Sequence, residues 1–144
     1  MDSPAHLKVA ADAAAVGAAS AWARSFGSRL GLTERDLYRL ELCVTELVAN
    51  IATYGYDAEG GVIDLRAAAS SGEVRLEIVD QGRLFDPLAT ADGGPAPGAD
   101  IAIGGLGLRL VRGFADECRY ERVGNSNALL LIFKRSDARR AADD

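Results

Sequence analysis

Histidine is almost missing: His6 is the only one in 144 residues. That excludes His-cluster metal sites, argues against a His-based triad and removes the usual general base. Lysine is nearly as scarce, with Lys8 and Lys134 alone and neither in a Gly-rich loop. A P-loop, which needs a Lys beside its phosphate-binding turn, is therefore excluded, and any nucleotide has to be held another way. Cys43 and Cys118 are the only cysteines. Both sit in apolar patterns, which points to two reduced core thiols rather than a disulfide. No apolar run approaches the roughly 18 residues of a membrane span. Met1-Asp2-Ser3-Pro4 lacks the basic start and apolar stretch of a signal peptide, so a cytoplasmic location is expected. Excess positive charge is lacking too. The net charge of −5 argues against nucleic acid as a partner.

What is present suits one globular unit. The hydrophobic share is 49% and the charged share 26%, and the length suffices for a single core. A single domain over 1–144 is expected, with a flexible polar tail over 136–144. His6 to Ala10 reads as a short edge strand. A helix is expected from about Asp12, with Val16, Ala19, Ala23, Phe26 and Leu30 at helical spacing and Gly31 as its stop. Thr33 reads as the next N-cap, with Asp36 three residues on as an approximate capping box. Leu37, Leu40, Val44, Leu47, Val48 and Ile51 then form a stripe that ends near Tyr54-Gly55.

From Gly61 the period becomes two. Ile63, Leu65 and Ala67, then Val74, Leu76 and Ile78, alternate with polar residues around a Ser70-Ser71-Gly72 turn, which predicts an antiparallel hairpin. Asp86 to Gly104 has no period. Gly105 to Ala115 reads as a short helix, Cys118 and Tyr120 as part of a strand, Gly124-Asn125-Ser126-Asn127 as a turn, and Ala128 to Lys134 as a last strand. The order describes an α+β two-layer sandwich, with helices on one face of a mixed, mostly antiparallel sheet.

Three short stretches carry chemistry. Glu46 and Asn50, four apart on one helix face, could join proton abstraction to coordination of a hard cation. Taken alone, a solvated Glu and a polar Asn near a helix end is the plainer account. Asp80-Gln81-Gly82 closes a buried strand with a fixed acceptor that could meet an exocyclic amino group, and Gly82 lets backbone approach a ring. An ordinary strand-ending turn has the same composition. Gly104-Gly105-Leu106-Gly107-Leu108 opens a helix with free N–H groups and a positive dipole end, a phosphate site that needs no lysine. A hinge after a loop would look alike. A loop of roughly 19 residues in a compact domain is nevertheless unusual and often a functional lid.

The order of the three is more specific than any one. Glu46-Leu47-Val48-Ala49-Asn50, then Asp80-Gln81-Gly82-Arg83-Leu84-Phe85-Asp86-Pro87, then Gly104-Gly105-Leu106-Gly107-Leu108 running into Asp116-Glu117 resembles the GHKL superfamily of ATP-binding domains. Within it the chain is similar to the small anti-sigma-factor serine kinases, over nearly its whole length.

The resemblance implies a Bergerat ATP-binding fold with ATP and Mg²⁺ as cofactors. It implies Asn50 as the Mg²⁺ ligand, Glu46 as the general base, Asp80 as the reader of adenine and Gly82 beside the base. Gly104, Gly105, Leu106, Gly107 and Leu108 would hold the phosphates. The implied activity is phosphorylation of a serine on a small anti-anti-sigma (STAS-like) partner, with a sigma factor as second partner and a homodimer as a common assembly. Tyr54 stands where the family usually carries His, and Arg83-Leu84 replaces the second glycine of histidine kinases. A module that binds ATP and controls its partner without phosphotransfer is the competing reading. Glu46 favours the enzyme, since binding alone requires no base there.

Overall fold

The computed structural model describes residues 4–55, 60–82 and 111–136. An edge strand, β1 (Ala5–Ala10), leads into two helices, α1 (Ala15–Leu30) and α2 (Glu34–Asn50). A single π-helical turn, Ile51–Gly55, continues α2. Four more strands follow: β2 (Val62–Ala69), β3 (Glu73–Asp80), β4 (Glu117–Val123) and β5 (Ser126–Lys134). Residues 111–114 are helical and precede β4.

The helix ends follow from local chemistry. The Asp12 carboxylate accepts from the Ala14 N–H at 2.9 Å. Residues 11–14 are thus spent on a turn, and α1 starts at Ala15, three residues later than the periodicity suggests. Gly31 takes a φ of 70° at the end of α1, a left-handed conformation that costs a residue without Cβ little. Thr33 caps α2 by accepting from the Asp36 N–H at 3.2 Å. The Asp36 carboxylate does not complete a capping box. It accepts from Arg39 at 3.3 Å and from the Ser136 hydroxyl at 2.6 Å.

The sheet order is β1-β2-β3-β5-β4. Expected to be mixed and mostly antiparallel, it is antiparallel at every pairing among the described residues. The reason lies in the order. β3 and β4 run the same way, but β5 lies between them and pairs with each in the opposite sense.

One face of the sheet packs on both helices. Ile63, Leu65, Val74, Leu76, Ile78, Leu129 and Leu131 meet Phe26 of α1 and Leu40, Val44, Leu47 and Val48 of α2, all in one buried cluster. Ala15, Ala19 and Ala23 are at most 2% exposed, and their small side chains let α1 lie close. Outward positions such as Arg66, Arg75 and Arg119 are exposed, the alternation expected of an antiparallel sheet wetted on one side. Cys43 is buried and Cys118 half-buried, and neither is in a disulfide. Burial, reinforced by the neighbouring Cys118, pushes the Cys43 thiol up to about 12. No helix among the described residues is long and apolar enough to cross a membrane.

Candidate functional site

Asp80 is the last residue of β3, on the face that looks toward α2, and it is 4% exposed. Its Oδ1 accepts two bonds, from the Gly82 N–H at 2.8 Å and from Asn127 Nδ2 at 3.0 Å. Asn127 stands directly opposite Asp80 across the β3–β5 ladder. Its own Oδ1 accepts from the Tyr120 hydroxyl at 2.6 Å and from Arg122 Nη1 at 3.1 Å. Arg122 also donates to the Gly82 carbonyl at 2.9 Å. Asp80, Gly82, Arg122 and Asn127 therefore close a ring of hydrogen bonds at one end of the sheet.

A small pocket, open to solvent, lies against this ring. Leu47 and Ile51 line it from the C-terminal end of α2, and Ile78, Asp80, Tyr120, Asn127 and Leu129 from the sheet. Apolar walls with a few fixed polar groups are the usual make-up of a small-molecule site. Both Asp80 bonds fall on Oδ1, so Oδ2 is the oxygen available to a donor from the pocket.

Glu46 and Asn50 flank the lining residues Leu47 and Ile51. Asn50 is 4% exposed, far more buried than a polar residue at a helix end would be by default. Its Nδ2 donates to the Glu46 carbonyl at 2.9 Å, which leaves the carboxamide oxygen as the atom suited to a hard cation. Glu46 is half-buried. Among the described residues no cluster of three or more His, Cys, Asp or Glu stands ready for a metal. An ion at Asn50 would therefore take few ligands from the described residues, in keeping with Mg²⁺, which is usually bound by one or two side chains with phosphates and water completing its shell.

Of the residues singled out in the sequence, Glu46, Asn50, Asp80 and Gly82 come to the same end of the molecule. Gly104, Gly105, Leu106, Gly107 and Leu108 lie outside the described residues, as does the expected lid from Asp86 to Gly104. Asn127, Tyr120 and Arg122 are the participants that sequence reasoning missed. Asn127 belongs to β5, not to the turn before it. The available signal was its alternation with Leu129, Leu131 and Phe133, which puts it on the inner face.

Comparison with known proteins agrees with this fold. The family described as histidine kinase-like ATPase domain matches residues 9–133. The serine-protein kinase RsbW of Halalkalibacterium halodurans is 30% identical over 134 residues, covering 90% of this chain and 81% of that one. The anti-sigma F factor of Clostridium acetobutylicum is 25% identical over 118 residues, covering 77% and 78%. The serine/threonine-protein kinase BtrW of Bordetella bronchiseptica is 31% identical over 112 residues, covering 76% and 79%. A crystal structure of RsbU and RsbW domains from Mycobacterium tuberculosis superposes with a TM-score of 0.67 at 20% identity. It covers 93% of this chain, which spans about a third (33%) of that longer one, and it supports the fold alone. The chain belongs to the histidine kinase-like ATPase domain family, among relatives named anti-sigma factors and serine-protein kinases.

Proposed function

We propose that the chain is a cytoplasmic, ATP-dependent protein serine kinase that regulates a sigma factor by phosphorylating a serine of an anti-anti-sigma (STAS-like) partner. The observation that carries this reading is the buried Asp80 carboxylate, held by its ring and facing a pocket roofed by the end of α2. Asp80 accepts from the adenine amino group, and Gly82 lies beside the ring. The N–H groups of Gly104 to Leu108 receive the phosphates. Mg²⁺, when bound at the Asn50 oxygen, supplies the charge neutralisation that phosphoryl transfer requires.

Glu46, one helical turn before Asn50 and half-buried, accepts the proton of the partner's serine hydroxyl. The serine oxygen bonds to the γ-phosphorus and ADP leaves. Relatives named serine-protein kinases support the transfer step. A relative named only as an anti-sigma factor supports a second reading, in which the chain binds ATP and a sigma factor without transferring phosphate.

The two readings separate with labelled ATP, a confirmed partner protein and two variants. Glu46→Gln keeps ATP binding and loses phosphotransfer by roughly 10²–10⁴-fold, the usual share of general-base catalysis. Asn50→Ala loses the metal-dependent part of nucleotide affinity. A Glu46→Gln protein that phosphorylates the partner at the wild-type rate refutes the base assignment. A wild type that binds ATP and a sigma factor but transfers nothing favours the second reading.

A further inference from the structure

Helix α2 holds the segment that follows the Gly-rich stretch at two levels. At the lower one, Arg39 donates to the Phe114 carbonyl from Nε at 3.0 Å and also from Nη2. Phe114 ends the helical residues 111–114, where carbonyls lack an intrahelical partner and a cation is favoured. Asp116, two residues on, accepts from Arg39 Nη2 at 3.2 Å and from the Lys134 N–H at 2.6 Å. Asp36 of α2 accepts from Arg39 Nη1 at 3.3 Å, so the guanidinium is fixed from both sides. One turn further along α2, the Cys43 thiol donates to the Val111 carbonyl at 3.9 Å, and Val111 is 3% exposed. The contacts thus step back from Phe114 to Val111 as α2 runs forward from Arg39 to Cys43. Steps of four, seven and eleven residues return to nearly the same side of an α-helix. Arg39, Cys43, Glu46 and Asn50 therefore share one face of α2. Leu108, the last residue of the Gly-rich stretch, is only three positions before Val111 in the sequence.

We propose that Arg39 is a positioning residue for phosphate binding. By fastening residues 114–116 to α2, it sets the Gly-rich stretch against the helix face that carries Glu46 and Asn50. This rests on the ATP-binding reading above and names what fixes its phosphate half. The base half does not depend on Arg39. Gly82 and Asn127, which hold Asp80, and the residues that line the pocket include none of those that Arg39 touches. Loss of the guanidinium therefore acts on the phosphates and spares the base. A small displacement suffices, since binding groups have to be held within about 0.5 Å of their productive positions. Lysine does not replace arginine here, because it keeps the charge but not the planar fork that spans a carbonyl and two carboxylates.

The test is calorimetric titration of the purified chain with Mg-ATP and, at millimolar concentration, with AMP. It is run at a temperature where melting curves show each variant folded. Arg39→Met lowers the ratio of ATP affinity to AMP affinity by about tenfold or more, with AMP affinity unchanged. Arg39→Lys lowers the ratio in the same direction and stands in if Arg39→Met does not fold. Arg24→Met, which breaks the exposed ion pair between α1 and Glu41 of α2, keeps the wild-type ratio. A purely structural role for Arg39 would lower the melting temperature and leave the ratio unmoved. Folded Arg39→Met protein with the wild-type ratio, or folded Arg39→Lys where Arg39→Met does not fold, overturns the inference. An equal loss of both nucleotides overturns it too, and wild-type ATP binding stands in either case. Wild type that binds neither nucleotide overturns the ATP-binding reading, and the inference with it.

Discussion

Two buried polar clusters occupy opposite ends of the same sheet, and α2 runs from one to the other. At the first, Arg39 is 6% exposed and meets two carboxylates, backbone carbonyls and an aromatic ring. Asp36 lies at 3.3 Å and Asp116 at 3.2 Å. The carbonyl of Phe114, the last helical residue before β4, accepts from both Nε and Nη2. The Phe133 ring lies 5.6 Å from the guanidinium carbon. Nearby, Arg135 donates to the carbonyls of Ser70 and Leu30. The second cluster, around Asp80, lies about 16 Å away along α2, from Arg39 to Asn50 at 1.5 Å per residue. It too is buried and networked, but Asp80 faces a pocket with apolar walls. Asp116 of the first cluster also lines a cleft, yet its carboxylate accepts from Arg39 and from the Lys134 N–H and so joins α2 to the sheet. Burial of charge alone does not distinguish the two ends, and the apolar lining beside Asp80 does.

The contrast can be broken most forcefully at Arg39. Arg39→Met leaves Asp36 and Asp116 without their buried cation, and such a loss costs about 3–5 kcal/mol. Urea unfolding measures it. A loss below about 1 kcal/mol would mean that the closed end is not a staple.

A smaller effect comes from the middle of α2. The unfolded chain gives up the Cys43 proton near its ordinary value of 9.0, whereas the folded chain keeps it to about 12. The stability this contributes is complete below pH 9 and is lost as pH rises toward 12, at up to ~1.4 kcal/mol per pH unit. Cys43→Val should flatten the fall in unfolding free energy between about pH 8 and about pH 11. An unchanged slope would assign the alkaline loss to other groups. Smallest of the three, Thr33→Ala removes the α2 cap next to the closed end and should cost about 1 kcal/mol. It should leave nucleotide affinity unchanged, and a shift in that affinity would show that the two ends are coupled through the helix.

Much of this was legible in the sequence because period and punctuation are local. Gly31 and Thr33 mark helix ends by their own chemistry, and the β2–β3 hairpin follows from the alternation around Ser70-Ser71-Gly72. Asp80 stood out because it ends a buried strand, and Asn50 because it follows Glu46 by four residues on one helix face. Arg39 did not, since an arginine inside an amphipathic helix reads as solvated until Asp116, 77 residues away, is brought against it. Asn127 was hidden for a different reason. Three turn-forming neighbours precede it and mask its alternation with Leu129, Leu131 and Phe133, and the pairing of Ser126 with Val123 shows that the strand has already begun.

The central claim is that the Asp80 end holds the base of ATP, and calorimetric titration of wild type against Asp80→Asn tests it most directly. In the variant, the Gly82 N–H and Asn127 Nδ2 both require an acceptor where Oδ1 now stands. The new carboxamide must therefore turn its oxygen to them and its NH₂ toward the pocket. That NH₂ meets the amino group of adenine, donor against donor, at a cost of about 1–3 kcal/mol. The account predicts a roughly ten- to hundredfold loss of ATP affinity with the melting temperature preserved. Equal ATP affinity in the two proteins, with equal melting temperatures, would contradict it and place the adenine elsewhere.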